Sequence, residues 1–143
     1  MATPTEGHYT LLIIDDNIEL LEMLTDGLSH HFTIVTAQDG IEGLTKFFEA
    51  RPDCAIIDVK MPGLDGFQLV RALRGDPETA SIPLIILTAL NQDQMRFTGL
   101  ASGVDQFLTK PVMPSELIPA VYQAIALGQE ERQRRWRALA LDE

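Results

Sequence analysis

One cysteine in 143 residues, Cys54, excludes an internal disulfide framework and cannot by itself supply a thiolate zinc site. A small buried apolar residue is its simpler reading. No apolar run approaches the roughly 20 residues that a membrane span needs, since the longest, Ile82 to Leu90, has Pro83 and Thr88 inside it. The opening Met-Ala-Thr-Pro-Thr-Glu-Gly-His has neither the basic start nor the apolar stretch of a secretory signal, so a cytoplasmic location without membrane association is expected. Basic charge is also scarce, with 11 Lys and Arg against 21 Asp and Glu and a formal charge of −10. Residues 1–127 carry the whole imbalance, 17 acids to 7 bases, whereas Gly128 to Glu143 has four of each. Direct binding to nucleic acid depends on clustered Lys and Arg and is therefore not expected. There is no internal repeat or low-complexity stretch, and the length suits one domain.

What is present is an alternation. Tyr9 to Ile14 is a short run of strand formers without polar alternation, the pattern of a strand covered on both faces. From Ile18, apolar residues at Leu21, Leu24 and Leu28 have helical spacing and end near the surface histidines His30 and His31. Phe32 to Ala37 reads as a second strand, and Asp39 is placed to cap a helix carrying Ile41, Leu44, Phe47 and Phe48 inward. Arg51-Pro52-Asp53 breaks the chain before a third strand, Cys54 to Asp58. The turn residues Met61-Pro62-Gly63-Leu64-Asp65-Gly66 precede a short helix from Phe67 through Leu73, closed by Gly75-Asp76-Pro77. Ile82 to Thr88 is a fourth strand, Asn91 to Ala101 a weakly amphipathic helix, and Phe107 and Leu108 end a fifth strand. Pro114 to Leu127 completes the body with Leu117, Val121, Ala124 and Ile125 inward. Five strand-helix alternations imply an α/β fold with a parallel sheet and helices on both faces. Ligands of such sheets bind beyond the carboxyl ends of the strands.

Those ends carry polar groups: Asp15 and Asp16 after the first strand, Asp58 at the end of the third, Thr88 at the end of the fourth, and Lys110 just past the fifth. Each alone has an ordinary reading as a helix cap, a strand stop or a β-branched strand residue. Together, three carboxylates converge beside one ammonium. Two like charges about 4 Å apart repel by about 4 kcal/mol at an effective dielectric near 20, so the cluster calls for a cation. Mg²⁺ prefers oxygen ligands and typically takes one or two carboxylates with phosphate oxygen. With that charge offset, Asp58 is suited to act as a carboxylate nucleophile toward phosphorus, with Lys110 and the Thr88 hydroxyl facing the new anion.

The pattern resembles the receiver domains of two-component response regulators, including the bacterial chemotaxis regulator. It runs from about Tyr9 to Leu127 and includes Asp15-Asp16, Asp58 followed by Met61-Pro62 and Asp65-Gly66, Thr88-Ala89, and Lys110-Pro111. The resemblance implies a flavodoxin-like, doubly wound (βα)5 fold with strand order 2-1-3-4-5. It implies that Asp58 accepts phosphate from a phosphohistidine on a sensor histidine kinase or phosphotransfer protein. It also implies that Asp16 and Asp58 bind Mg²⁺ directly, Asp15 through water and Lys60 by its backbone carbonyl. Thr88 and Phe107 match the family's switch pair, in which the hydroxyl moves toward phosphate and the ring turns inward. Ala89 would leave access for phosphate, and Pro111 would follow a cis peptide bond that aims Lys110. Lys60 and Leu90 stand where the family tunes the lifetime of the phosphoryl group.

By the same resemblance, output recognition or homodimerisation falls on the face from about Asn91 to Leu127, where Asp105 and Gln106 read more simply as solvated loop residues. Residues 1–127 are expected to form the receiver domain, and 128–143 a charged helical extension or linker. In that segment Glu130 precedes Arg134, and Glu131 precedes Arg135, at helical spacing. Trp136 and Leu139 are compatible with docking on the body, dimerisation, a link to a further domain or a solvated helix. A phosphorylation-independent interaction module with the same fold is the alternative, but such a module is expected to lack Asp58, Lys110 or an acidic partner, and all are present. An independent enzyme is not expected. Asp58-Val59-Lys60 lacks the Asp-x-Asp of haloacid dehalogenase phosphatases, and no phosphate loop for flavin mononucleotide follows the first strand.

Overall fold

Short runs of β-branched and aliphatic residues form the sheet because helices cover both of its faces. The computed structural model describes residues 9–89 and 104–141, with side chains through residue 128. Its strands are β1 (Thr10–Ile14), β2 (Thr33–Ala37), β3 (Cys54–Asp58), β4 (Leu84–Thr88) and β5 (Gln106–Thr109). All pair in parallel, in the order β2-β1-β3-β4-β5. The described helices are α1 (Ile18–Leu28), α2 (Gly40–Ala50), α3 (Gly66–Arg74) and α4 (Pro114–Leu141). This is the flavodoxin-like doubly wound arrangement. The sequence segment Asn91 to Ala101 and residue Leu90 lie outside the described residues.

The alternation of side chains along the strands sorts the core into two layers. Leu11, Ile13, Ile56, Ile85 and Leu87 pack with Leu24 and Leu28 of α1 and with Leu117 and Val121 of α4. On the other face Leu12, Ile14, Ile57 and Ile86 meet Phe47 of α2 and Leu69, Val70 and Leu73 of α3. Cys54 is fully buried in the first layer, and burial pushes its thiol well above the ordinary cysteine range.

Helix starts follow local chemistry. Asn17, rather than Asp15 or Asp16, caps α1 by accepting from the Leu20 N–H. Asp39 caps α2 as the sequence predicts. Asp65 and Gln68 form a reciprocal capping box at α3.

Two expectations are corrected. Ile41 is 64% and Phe48 41% exposed, because α2 turns Gly40, Gly43 and Phe47 toward the body, with Leu44 half-buried. Gly43 faces inward because Ile14 occupies the space its missing side chain would fill. Asp105 and Gln106 are more than solvated loop residues. Asp105 accepts from the Leu84 N–H and pairs with Arg74 at 3.1 Å, whose guanidinium also donates to the carbonyls of Ala80 and Ile82. The Gln106 side-chain amide donates to the Ala120 carbonyl. At the other end, α4 continues as one helix past Leu127 to Leu141, about 42 Å in all.

Candidate functional site

Parallel pairing brings the carboxyl ends of the strands to one edge. Ile14 pairs with Ile57, so Asp15 and Asp58 leave β1 and β3 side by side. Thr88 pairs with Thr109, and the next residue, Lys110, donates its backbone N–H to the Thr88 carbonyl at 2.8 Å. The sheet register therefore assembles the residues that the sequence leaves far apart.

Asp15 and Asp58 are buried, at 1% and 5% exposure, whereas Asp16 is exposed. One carboxylate oxygen from each of Asp15, Asp16 and Asp58 lies within 4.8 Å of the other two. Lys110 Nζ stands 2.9 Å from Asp15 Oδ2 and 3.3 Å from Asp58 Oδ1. It thus offsets two carboxylates at once. Asp15 Oδ1 accepts from the Asn17 N–H, while its buried Oδ2 has the Lys110 ammonium as its partner.

Burial and then the Asp15 charge push the Asp58 carboxyl up to about 6, against the opposing pull of Lys110. Burial alone would lower the Lys110 ammonium. Hydrogen bonding and charge from Asp15, followed by Asp58, more than offset that and hold it above the usual lysine value. The donor set fits Mg²⁺ on this chemistry: three hard carboxylates crowd around a single ammonium, and that one cation leaves Asp58 with a raised affinity for protons.

The loop after β3 borders the site. Asp16, Lys60, Met61, Pro62 and Phe67 help line an open cleft of about 530 Å³. Gly63 takes the left-handed φ of 75° that a side chain disfavours. Gly66 starts α3 against the end of β3, where an added Cβ would stand 2.4 Å from the Asp58 carbonyl oxygen. The start of α3 therefore packs closely on the backbone of Asp58, and the Gly66 N–H donates to the Val59 carbonyl at 3.0 Å.

Thr88 is buried, and Ala89 follows it at the surface. Phe107 is half-buried and pairs with Ile86, placing it on the sheet face that also carries Thr88. The Lys110–Pro111 peptide is cis. Sequence reasoning missed Phe67, whose ring lies 6.3 Å from that of Phe107. Its place beside Gly66 was readable, but its contact with a residue forty positions on was not.

The family model described as the response regulator receiver domain matches residues 11–122. The response regulator PleD of Caulobacter vibrioides is 40% identical over 105 residues, covering 71% of this chain and 23% of that protein. The DNA-binding response regulator MtrA of Mycobacterium tuberculosis is 34% identical over 122 residues, covering 85% of this chain and 52% of the relative. The chain thus spans about half or less of these curated relatives. Among solved structures, the chemotaxis protein CheY4 of Vibrio cholerae superposes with a TM-score of 0.78 at 31% identity, covering 82% of this chain and 98% of that one. Receiver domains are signalling modules that work with histidine kinases or phosphotransfer proteins and bind Mg²⁺ at an acidic pocket. By the extent of the family match and the likeness of its fold, the chain belongs to the response regulator receiver domain family.

Proposed function

We propose that this chain is a phosphoacceptor receiver in which Asp58 takes a phosphoryl group from a phosphohistidine of a sensor histidine kinase or phosphotransfer protein. The observation that carries this reading is the buried Asp58 carboxylate, 3.3 Å from Lys110 and grouped with Asp15 and Asp16. Asp16 and Asp58 would hold Mg²⁺ directly, Asp15 through water and Lys60 through its backbone carbonyl. The bound ion supplies positive charge that offsets the carboxylates and the incoming phosphoryl oxygens.

The chain's own groups do the remaining work. An Asp58 oxygen forms the new bond to phosphorus while the phosphorus–nitrogen bond breaks and leaves its electron pair on the donor imidazole, which departs neutral when its other nitrogen is protonated. Lys110 shifts its pairing toward the phosphoryl anion, and the Thr88 hydroxyl donates to the same group. Ala89 leaves room beside it, and Pro111 orients the lysine. Movement of Thr88 lets Phe107 turn inward and changes the face formed by β5 and α4. That face takes an output partner or a second copy of the chain. A population shift follows only where such a partner distinguishes the two conformations.

Residues 1–127 constitute the receiver domain and 128–143 a charged helical extension or linker, a division supported by Ile125 being the last buried core residue among the described side chains of α4. The chemistry is confined to the chain's own Asp58, so the protein is not a free-standing enzyme. Among the described residues no helix is long and apolar enough to cross a membrane. A cytoplasmic location suits exchange with a cytoplasmic kinase domain, and no direct nucleic acid contact is proposed for the acidic body.

Intact-protein mass after incubation with Mg²⁺ and acetyl phosphate tests the reading. A metal-dependent phosphoryl adduct that disappears in Asp58→Ala supports it. Absence of the adduct from folded, Mg²⁺-binding protein contradicts it and favours a phosphorylation-independent interaction module.

A further inference from the structure

Phe67 occupies two places at once. It is the second residue of α3, whose start lies close against the Asp58 carbonyl and is tied to the end of β3 by the Gly66 N–H donating to the Val59 carbonyl at 3.0 Å. Its side chain lines the cleft shared with Asp16 and Lys60. The same side chain is buried in the core layer between the sheet and α2 and α3, at 7% exposure, and Phe107 packs against that layer from its rim. The two rings sit 6.3 Å apart at 42°, within the range of favourable tilted aromatic pairs. Ile86, the strand partner of Phe107, belongs to this layer, and Thr88 lies two residues further along the same strand face.

We propose that Phe67 is a positioning residue for the switch, forming the inner wall against which the Phe107 ring turns and linking occupancy of the site at the end of β3 to the β5 face. This rests on the phosphoacceptor and Thr88/Phe107 reading above and adds a second route beside Thr88. Inward rotation moves the half-buried Phe107 ring further over Phe67 and enlarges a contact that exists already. Replacing Phe67 by an aliphatic side chain removes the flat wall and makes the inward position less favourable. Binding of a phosphoryl mimic then loses the part of its free energy that was coupled to the ring. Position 67 thereby tunes how strongly the site drives the output face, without touching the transferred group.

The test is a double-mutant cycle on the Mg²⁺-beryllofluoride complex, using Phe67→Leu, Phe67→Tyr, Phe107→Leu and the double variant Phe67→Leu/Phe107→Leu. Beryllofluoride Kd is measured on folded protein, and the Phe107 resonance is followed with ring-labelled phenylalanine. Phe67→Leu should weaken the complex about fivefold, the effect of losing an aromatic pair, and shrink the Phe107 shift on saturation. Phe67→Tyr should retain both. In the Phe107→Leu background, Phe67→Leu should have no further effect, because the wall no longer has a ring to hold. Equal weakening in both backgrounds would make Phe67 a cleft residue unconnected to the switch and overturn the proposal. So would an unchanged or tightened complex in Phe67→Leu. Failure of wild type to form any Mg²⁺-dependent complex would instead overturn the phosphoacceptor reading on which the proposal rests.

Discussion

Asp58→Asn should stabilise the metal-free protein at pH 7.5, although it removes a partner of Lys110. The wild-type carboxyl is raised from an ordinary 3.8 to about 6, first by burial and then by Asp15. That shift already includes the opposing contribution of Lys110, so the folded protein as a whole disfavours a charged Asp58. A shift of this size corresponds to ~3 kcal/mol between the protonation states. The folded state binds a proton more tightly than the unfolded chain between pH 3.8 and about 6. The contribution of the neutral carboxyl to stability is therefore complete below the lower value and is lost as pH rises through the upper one. Asparagine approximates the neutral acid at every pH, and its advantage should approach ~3 kcal/mol at pH 7.5 and narrow as pH falls through 6 toward 4. Urea unfolding in EDTA at several pH values, with a common slope for both proteins, measures this directly. A gap that stays constant with pH, or an Asn variant less stable than wild type at pH 7.5, would refute the claim that the fold strains an ionised Asp58. Saturating Mg²⁺ should stabilise wild type more than the variant and reduce the gap.

Three further substitutions probe separate parts of the site and its frame. Lys110→Ala leaves the Asp15 and Asp58 carboxylates without their ammonium, so metal-free stability at pH 7.5 should fall by ~2 kcal/mol while Mg²⁺ binding tightens severalfold; titration calorimetry reads the second effect, and unchanged affinity would contradict it. Gly66→Ala forces a Cβ against the Asp58 carbonyl, a backbone atom without room to retreat, and should cost ~2 kcal/mol or more by urea unfolding and slow adduct formation. The matching change at Gly43 meets the Ile14 side chain rather than backbone and should cost less. Arg74→Ala leaves the carbonyls of Ala80 and Ile82 and the Asp105 carboxylate without a shared donor, and should cost ~1–3 kcal/mol in the same assay, with Mg²⁺ affinity unchanged.

The strands were readable because both faces of the sheet are covered, which turns β1, β3 and β4 into near-continuous aliphatic runs. Their polar ends were readable for the same reason, since a carboxylate directly after such a run must stand at the sheet edge. The inward face of α2 was not. Helical spacing ranks apolar residues, whereas Gly40 and Gly43 are turned inward by close approach to Leu64 and Ile14, leaving Ile41 and Phe48 outside. Asp105 and Gln106 carried no local signal of their partners, because Arg74, Leu84 and Ala120 reach them only after folding. The capping box at Asp65 and Gln68 was present in the sequence as an acid followed three residues on by glutamine, and Asp65 could have been recognised as more than a turn residue. Pairing of Lys110 with both acids required the register of four strands, β1, β3, β4 and β5, and the turn after β5, which no single segment encodes.

The central claim concerns one carboxylate, and reductive trapping locates it. After incubation with Mg²⁺ and acetyl phosphate, borohydride reduces an aspartyl phosphate to homoserine, and fragment masses of the digested protein identify the altered residue. The account predicts homoserine at position 58, dependent on both Mg²⁺ and the phosphoryl donor. Metal-independent labelling, or labelling at Asp15, Asp16 or another acid with position 58 unmodified, would contradict it.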